Sequence, residues 1–498
     1  MGLEIDRDRF EAEDYRRFEA RLRHCLDALR ELLSQAEFGV GPPSIGAELE
    51  VALVDERARP LPLNVEILHE TLDPRMTVEL NRFNLECNLN HTDLAGTPFA
   101  ALRSEFEGAL DELRRAAAVH AGRPVMVGIL PTVQERDLQP SVMTDTARYR
   151  ALAFALREAR HAPFDLDIAG EDPLLTHCDG VTFEGAATSL QIHLRVNPER
   201  FTNLFNAVQL ATAPVLAAAG NSPTFIGHRL WHETRVALFK QAVDDRDALA
   251  KRARRHPRVG FGTGWLVDGA LELFDEALEL FPPLLPLMSD EDPRECMTAG
   301  GVPELHELRL HQGTVWNWNR PVYDPAGGGH LRIEMRALPS GPTVTDMLTN
   351  AAFLVGLAYG LETEIVSATE RIDFGAVQTG FYRAAQSGLE AEVAWADGLL
   401  GVAAPEGLVS ARELLPQLID VARAGLAGQG VSSEDSEPLL QVMVDRAASG
   451  QTGSVWQSRT LATLERQASR EEALMGLVER YVALSASGQP VHQWPGVG

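Results

Sequence analysis

The chain has 498 residues, 45% of them hydrophobic and 23% charged, which is enough to bury one large core or those of two or three ordinary domains. Its net charge of −26 argues against nucleic acid and anionic membrane as partners, because both require an excess of Lys and Arg. Four cysteines without a C-x-x-C pair, no apolar signal core and no long apolar run predict a cytoplasmic protein without disulfides or a transmembrane span.

Hydrophobic periodicity predicts mixed helices and strands in the first third of the chain. Apolar residues at spacings of three and four predict an amphipathic helix over residues 11–36, with Phe18, Leu22, Leu26 and Leu29 on its buried face. The elements predicted next are a strand over 44–56, an extended segment over 77–90, a helix over 98–121, a buried strand over 124–132 and a helix over 145–160.

The remaining elements point to a helical C-terminal region. A strand is predicted over 189–196, a helix over about 199–219, a loop-rich segment over 254–329, a strand over 330–338, helices from 343 to about 485 and a tail over 487–498. We therefore predict a catalytic domain over residues 1–375, with helix 11–36 packed on it. A helical C-terminal extension over 376–498 completes the chain.

Four of the predicted strands share one pattern, an apolar face opposite a polar face without lysine. The four polar faces carry Glu48 and Glu50; Asn84, Glu86, Asn88 and Asn90; Ser189, Gln191 and His193; and Arg332, Glu334 and Arg336. Side chains alternate between the two faces of a strand, so neighbouring strands of this kind would form a sheet with helices on one side. The other side would be an open polar floor.

A floor that repeats carboxylates requires cations, because several carboxylates in one cavity repel one another. Carboxylate oxygens suit Mg²⁺, and an added imidazole also suits Mn²⁺. Since Mg²⁺ in proteins is commonly shared with substrate phosphates, the floor predicts ATP as a co-substrate. An arginine such as Arg336 would then stabilise a phosphoryl group during its transfer.

Six stretches of the chain form an ordered set of motifs: GAELE (46–50), ELNRFNLECN (79–88), RYRAL (148–152), TSLQIHLRV (188–196), AAAGNSPTFIGHRLWHETR (217–235) and RIEMRAL (332–338). In this order they resemble the motifs of the glutamate–cysteine ligase type 2 family, also called carboxylate–amine ligases. The resemblance covers about residues 40–370. One departure is that Gly220 stands where the family motif has alanine.

The resemblance implies an α+β fold with a glutamine-synthetase-like curved antiparallel sheet flanked by helices. It also implies ATP- and Mg²⁺-dependent amide formation in two steps. A carboxylate first takes the γ-phosphoryl group of ATP, and an amine then displaces phosphate from the acyl phosphate. The favoured acid is glutamate, through its γ-carboxyl group, and the favoured amine is cysteine, as in the first step of glutathione biosynthesis.

The resemblance further assigns roles to individual residues. Two or three Mg²⁺ ions, or Mn²⁺ in their place, would be held by Glu48, Glu50, Glu79, Glu86, His193 and Glu334. Arg235 and Arg336 would be catalytic and face phosphate or the acid. Contacts to substrate or nucleotide would come from Ser189, Gln191, Arg148 and Asn221. The implied partners are a small acid, a small amine and ATP, and the chain could form a homo-oligomer.

The spacing of Glu79 and Glu86 conflicts with a single regular strand. The two residues are an odd number apart, so one continuous strand would place them on opposite faces. Either a bulge intervenes or Glu79 lies on a separate segment.

Two other functions use the same floor. A phosphotransferase of this fold would move phosphate from ATP to a guanidino group and would form no amide. A non-catalytic nucleotide-binding regulator would also bind ATP. The joint presence of Glu48, Glu50, Glu86, His193, Glu334 and Arg336 disfavours the regulator, since it would not need every metal ligand.

Overall fold

The fold is a large antiparallel sheet surrounded by helices, and the computed structural model describes it for residues 9–496. The strands are β1 (Ser44–Val54), β2 (Met76–Val78), β3 (Asn84–Asn88), β4 (Thr92–Asp93), β5 (Arg123–Val125), β6 (Phe164–Ile168), β7 (Leu174–Cys178), β8 (Leu190–Val196), β9 (Thr224–Phe225), β10 (His228–Arg229), β11 (Asn319–Asp324), β12 (His330–Met335), β13 (Glu392–Ala394) and β14 (Leu408–Ser410).

The helices fall mainly in the second half of the chain. They are α1 (Ala12–Leu33), α2 (Asn64–Glu70), α3 (Pro98–Val119), α4 (Ala147–Arg160), α5 (Phe201–Ala219), α6 (Thr234–Ala242), α7 (Ala248–Arg252), α8 (Ala270–Leu280), α9 (Pro293–Thr298), α10 (His306–Gln312), α11 (Val344–Leu361), α12 (Ile365–Arg371), α13 (Phe374–Ser387), α14 (Ala411–Gln417), α15 (Ile419–Gly428), α16 (Ser433–Ser449), α17 (Gly453–Leu464) and α18 (Arg470–Ser485). The α+β class predicted from the sequence is confirmed.

The main sheet has the strand order β11–β12–β8–β1–β3–β2, and the short strands β4 and β5 also pair with β1. Every pairing in it is antiparallel. The alternation in β1 buries Ile45, Ala47, Leu49 and Val51 in the core, whereas Glu48 and Glu50 on the other face stay partly accessible. The predicted apolar and polar faces of this strand are therefore confirmed.

Helices cover the apolar face of the sheet. Helix α3 packs against β1, α11 against β8 and α5 against β11. Helix α11 is the one element in residues 9–496 with the length and hydropathy of a membrane span, but 89% of it is buried inside the protein. Its apolar character on all sides therefore reflects a central position in the core.

Two expectations about secondary structure were wrong, and one hairpin was missed. The strand predicted over 124–132 is only the three-residue β5, because the chain leaves the sheet after Val125. The segment 254–329, predicted as loops, contains α8, α9, α10 and the edge strand β11. The hairpin of β6 and β7 was missed, although β6 alternates and buries Phe164, Leu166 and Ile168; it forms a separate two-stranded sheet.

The predicted C-terminal tail is part of the core. Val491 and Trp494 are 1% and 2% exposed, and they pack with Trp456 and Tyr481 of α17 and α18. The side-chain amide of Gln451 donates to the carbonyl oxygens of both Val491 and Trp494, at 2.9 Å each. These contacts hold the segment in place, although the only regular element in residues 487–496 is the 3₁₀ turn Val491–Gln493.

The helices beyond residue 375 pack closely on the helices before it. Helices α15 and α16 both contact α11, and Arg446 of α16 donates to Asp346 of α11 at 2.8 Å. Both of these side chains are buried. The division of the chain at residue 375 stays a prediction.

Candidate active site

The polar floor predicted from the sequence is formed by β12, β8, β1 and β3. Their register places Glu334 opposite His193, Glu48 opposite Gln191, and Glu50 opposite Glu86. Residues directly opposite each other in an antiparallel pair point to the same face. Side chains from four separate parts of the sequence are thus brought to one surface.

Three glutamates of the floor form what we call the acid cluster: Glu50, Glu79 and Glu86. One carboxylate oxygen from each residue lies within 4.8 Å of those from the other two. This is the one group of potential metal ligands of this kind among residues 9–496. The acid cluster therefore gathers three of the six metal ligands assigned by the resemblance.

The position of Glu79 explains its odd separation from Glu86. Glu79 directly follows β2, and β2 pairs with β3 so that Thr77 lies opposite Glu86. Thr77 and Glu86 therefore share a face. Glu79, two residues beyond Thr77, continues in that direction. Of the two alternatives, a separate segment is correct and a bulge is not required.

Crowding of carboxylates perturbs the acid cluster. Burial, together with the charges of Glu48 and Glu50, raises the pKa of Glu86 to about 7. Burial and the charges of Glu86 and Glu50 raise the pKa of Glu79 well above its usual value. The pKa of Glu50 is also raised by burial, although Arg336 opposes the shift. Each shift expresses the cost of a buried negative charge that nearby positive charge does not fully offset.

The opposite end of the floor is compensated by arginines. Glu334 is 2% exposed and accepts hydrogen bonds from Arg320, at 2.9 Å, and from Arg336. Burial alone would raise the pKa of Glu334, but the two guanidinium groups hold it well below its usual range. Glu334 is thus a stable carboxylate that holds the guanidinium groups of Arg320 and Arg336 at the floor.

Glu48 and His193 connect these two regions. His193 Nε2 lies 3.0 Å from Glu48 Oε1, and the His193 side chain is 7% exposed. Burial acts to raise the pKa of Glu48, but the contact with His193 lowers it below its usual value. An imidazole and a carboxylate in contact can share a cation or a proton.

Gln191 and Ser189 fix the orientation of Glu50. The Gln191 side chain donates to Glu50 Oε1 at 3.1 Å and accepts from Arg336 Nη1 at 2.6 Å. The backbone N–H of Ser189 donates to Glu50 Oε2 at 2.7 Å. Both residues therefore act within the floor as partners of Glu50 and Arg336, and direct contact with substrate or nucleotide stays a prediction.

Arg235 lies in the first turn of α6 and is 3% exposed. It donates to Glu233 Oε1 at 2.8 Å and to the carbonyl oxygen of Ala337 at 2.7 Å, and its guanidinium carbon lies 5.9 Å from the Trp318 ring centre. Its positive charge acts to lower the pKa of Glu50. Arg235 thus reaches the site through its electric field, and direct contact with substrate stays a prediction.

The two remaining assigned residues occupy different environments. Arg148 is half-buried at the start of α4, next to Tyr149, whose hydroxyl donates to the carbonyl oxygen of Val78 beside Glu79. Asn221 is fully buried, and its side-chain amide bonds to the Ser340 carbonyl, Tyr481 and Gln457. These contacts give Asn221 a structural role, and its contact with substrate or nucleotide stays a prediction, as does that of Arg148.

Two charged residues of the site were missed in the sequence. Arg320 lies on β11, inside the segment predicted as loops, and this edge strand tolerates Pro321. Glu184 lies in a 3₁₀ turn, Val181–Ala186, which has no alternation to mark it. Burial and the charge of Glu50 raise the pKa of Glu184 to about 8, against the opposing effect of Arg336.

The acid cluster fits a divalent cation. Its ligands are all carboxylate oxygens, which Mg²⁺ and Mn²⁺ prefer, and the raised pKa values show that positive charge is lacking there. Glu50, Glu79 and Glu86 would hold one ion. The assignment of Glu48, His193 and Glu334 to a further ion stays a prediction, because among residues 9–496 only the acid cluster brings three such ligand atoms within 4.8 Å of one another.

The sequence profile of glutamate–cysteine ligase family 2 matches residues 44–424. The chain belongs to this family. The family recognised from the motifs is thereby confirmed, and its match extends beyond residue 375 into the predicted C-terminal extension. Membership also confirms the predicted enzyme class, a carboxylate–amine ligase. No curated protein sequence matches the chain at a significant level.

Two solved structures resemble this family member. The glutamate–cysteine ligase of Francisella tularensis in complex with AMP has a TM-score of 0.56 and 11% identity, with 90% of each chain covered. A bifunctional glutathione synthetase from Pasteurella multocida has a TM-score of 0.49 and 11% identity. That match covers 93% of this chain but only 55% of the other. The first of these confirms the predicted fold.

Proposed function

We propose that this protein joins the γ-carboxyl group of glutamate to the amine of cysteine, using ATP and Mg²⁺. The observation that carries the proposal is the acid cluster, in which three carboxylates converge beside a floor that also holds Arg336. Membership of glutamate–cysteine ligase family 2 supports the choice of substrates. The AMP bound in the Francisella tularensis enzyme supports a nucleotide site.

The proposed reaction has two steps. The substrate carboxylate oxygen forms a bond to the γ-phosphorus of ATP, the bond to the bridging oxygen of ADP breaks, and an acyl phosphate results. The amine nitrogen then bonds to the acyl carbon, inorganic phosphate leaves, and the nitrogen loses a proton. The first step places new negative charge near the phosphoryl oxygens, and Arg336 is the residue positioned to compensate it.

The side chains of the floor prepare this geometry before substrate binds. Gln191 and Glu334 both accept hydrogen bonds from Nη1 of the Arg336 guanidinium. Gln191 and Ser189 also hold the two oxygens of Glu50. Charges that are fixed in advance stabilise a transition state without reorganisation at the moment of reaction. Mg²⁺ in the acid cluster would neutralise the phosphates of ATP.

A matrix of acids and amines with ATP and Mg²⁺ tests the proposal. ADP release and product mass are both measured, beginning with glutamate and cysteine, and the expected product is the γ-glutamyl amide. Amide formed only from another pair would retain the ligase and overturn these substrates. A phosphorylated guanidino compound without amide would instead identify the phosphotransferase. Nucleotide binding without ADP release from any pair would identify the regulator.

A further inference from the structure

Helices α17 and α18 contact Asn221, which in turn contacts the ion-pair partner of Arg235. The Asn221 side-chain nitrogen donates to Tyr481 Oη at 2.8 Å and to the carbonyl oxygen of Ser340 at 2.7 Å. Tyr481 Oη in turn donates to the carbonyl oxygen of Met126 at 2.7 Å. We call Asn221, Ser340, Gln457 and Tyr481 the Asn221 junction.

Gln457 of α17 completes this junction. Its side-chain nitrogen donates to the backbone oxygen of Asn221 at 3.1 Å and to the side-chain oxygen of Asn221 at 2.8 Å. The opposite orientation of the Gln457 amide would place an oxygen against two oxygens, so the chemistry fixes this orientation. Asn221, Gln457 and Tyr481 are each at most 2% exposed.

The backbone of Asn221 continues the contact to Arg235. The Asn221 N–H donates to Glu233 Oε2 at 2.8 Å, and Arg235 donates to the other oxygen of the same carboxylate at 2.8 Å. Glu233 is fully buried, and without its partners its charge would be costly. The position of Asn221 therefore determines where Glu233, and with it Arg235, can lie.

A second connection closes the network. Arg235 donates to the carbonyl oxygen of Ala337, which follows Arg336, and Asn221 donates to that of Ser340, three residues further along. Close packing leaves little freedom here, since a Cβ atom on Gly453 at the start of α17 would lie 2.1 Å from the Asn221 side-chain oxygen. A displacement of α17 or α18 would thus be passed to the end of the Glu334–Arg336 segment.

We propose that Gln457 and Tyr481 are positioning residues of the active site, which fix the Arg235 guanidinium through Asn221 and Glu233. The C-terminal helices then form part of the catalytic apparatus. The contribution of Arg235 to turnover rests on the proposed function, whereas the control of its position by the two residues does not.

Two variants test this inference, Tyr481→Phe and Gln457→Met, because each removes hydrogen bonds to Asn221 while keeping most of the side-chain volume. Tyr323→Phe is the matched control, since its buried hydroxyl donates to the carbonyl oxygen of Pro303, outside the network. We expect kcat to fall about 10-fold in both test variants with little change in KM, and to stay unchanged in the control.

A double-mutant cycle separates positioning from a general loss of stability. If Tyr481 acts through Arg235, the change Tyr481→Phe should lower kcat little further in an Arg235→Lys background. Independent, multiplying losses would overturn the inference. Gln457→Met gives the same test should the tyrosine variant fail to fold.

A measurement without turnover distinguishes failure of the inference from failure of the proposed function. The ¹⁵N resonance of the Arg235 Nε–H group, assigned by its loss in Arg235→Lys, should shift in Tyr481→Phe and Gln457→Met but not in Tyr323→Phe. An unmoved resonance in both test variants would overturn the inference whatever the enzyme catalyses. A shifted resonance in a protein that forms no amide would overturn the proposed function alone.

Discussion

Glu50 and Glu86 lie directly opposite each other in the β1–β3 ladder, and both side chains point to the polar floor. Like charges in this arrangement destabilise a sheet. The Glu79 carboxylate joins them within 4.8 Å, which adds to the repulsion. The fold thus concentrates negative charge at one place, and the cation proposed for the acid cluster would offset this cost.

Removal of one acid from the cluster should abolish most of the activity. We expect Glu50→Gln to lower turnover about 100-fold or more, because charge stabilisation through a bound cation contributes at least that much. Steady-state ADP release with ATP and Mg²⁺ measures the effect, and circular dichroism checks the fold. Glu66→Gln, on the partly exposed helix α2, is the control and should keep full activity. A fully active Glu50→Gln enzyme would contradict the metal assignment.

The acid cluster should make stability depend on pH in the absence of metal. The pKa of Glu86 is about 7 in the folded protein against an ordinary value of 4.5, so between these pH values the folded state holds more protons than the unfolded chain. The free energy of unfolding should therefore decrease as the pH rises from 5 to 8, by about 2 kcal/mol from this group. Urea denaturation in EDTA at several pH values measures the change.

Two comparisons identify the source of that dependence. Glu86→Gln should make the profile shallower, because the glutamine does not titrate and its missing charge no longer raises the pKa of Glu79. Mg²⁺ should stabilise the native protein more at pH 8 than at pH 6, since protons and the cation compete for the same oxygens. Equal stabilisation at both pH values, or by NaCl at matched ionic strength, would argue against a specific site.

Glu334→Gln should lower the free energy of unfolding at pH 8, whereas Glu86→Gln should raise it there by relieving repulsion in the acid cluster. Arg320 and Arg336, both with side chains 15% exposed, would lose their shared counter-ion. Removal of one partner from a buried ion pair typically costs about 3 kcal/mol. The urea midpoint measures the loss, with Glu304→Gln as control, because its pair with Arg309 is exposed and should contribute less than about 1 kcal/mol. Equal losses in the two variants would contradict this reading.

The C-terminal segment should contribute strongly to stability. Trp494 is 2% exposed and its ring centre lies 5.0 Å from that of Trp456 and 5.3 Å from that of Tyr481. Trp494→Ala should lower the free energy of unfolding by about 3 kcal/mol or more, because it leaves a cavity among these rings. Gln489→Ala, at an exposed position of the same segment, should change stability by less than about 0.5 kcal/mol. A loss in Trp494→Ala as small as in this control would show that the segment is dispensable.

Alternation along the chain was sufficient to predict the faces of β1, β3, β8 and β12. A strand with one buried face leaves a direct record in its sequence, since every second residue must be apolar. The same rule raised a conflict at Glu79, and the conflict was informative because it required a chain reversal between Glu79 and Glu86. The separate segment β2 resolves it.

Features that depend on contacts between distant parts of the chain could not be predicted from local alternation. Glu184 belongs to the site only because its turn precedes β8, and no local pattern distinguishes it from a surface acid. Trp494 is buried because α17 and α18 provide its partners, whereas its own neighbours in sequence are turn formers. The structural role of Asn221 likewise depends on Gln457 and Tyr481, more than 200 positions away.

The order of the charged floor residues along the chain has a consequence for synthesis of the protein on the ribosome. Glu48, Glu50, Glu79 and Glu86 are translated early, whereas Arg320 and Arg336 follow only after most of the catalytic region. During this interval the growing chain carries four neighbouring acids without the arginines that later share their floor. A divalent cation bound by these acids would relieve their repulsion, so the ion proposed for the reaction would also assist folding.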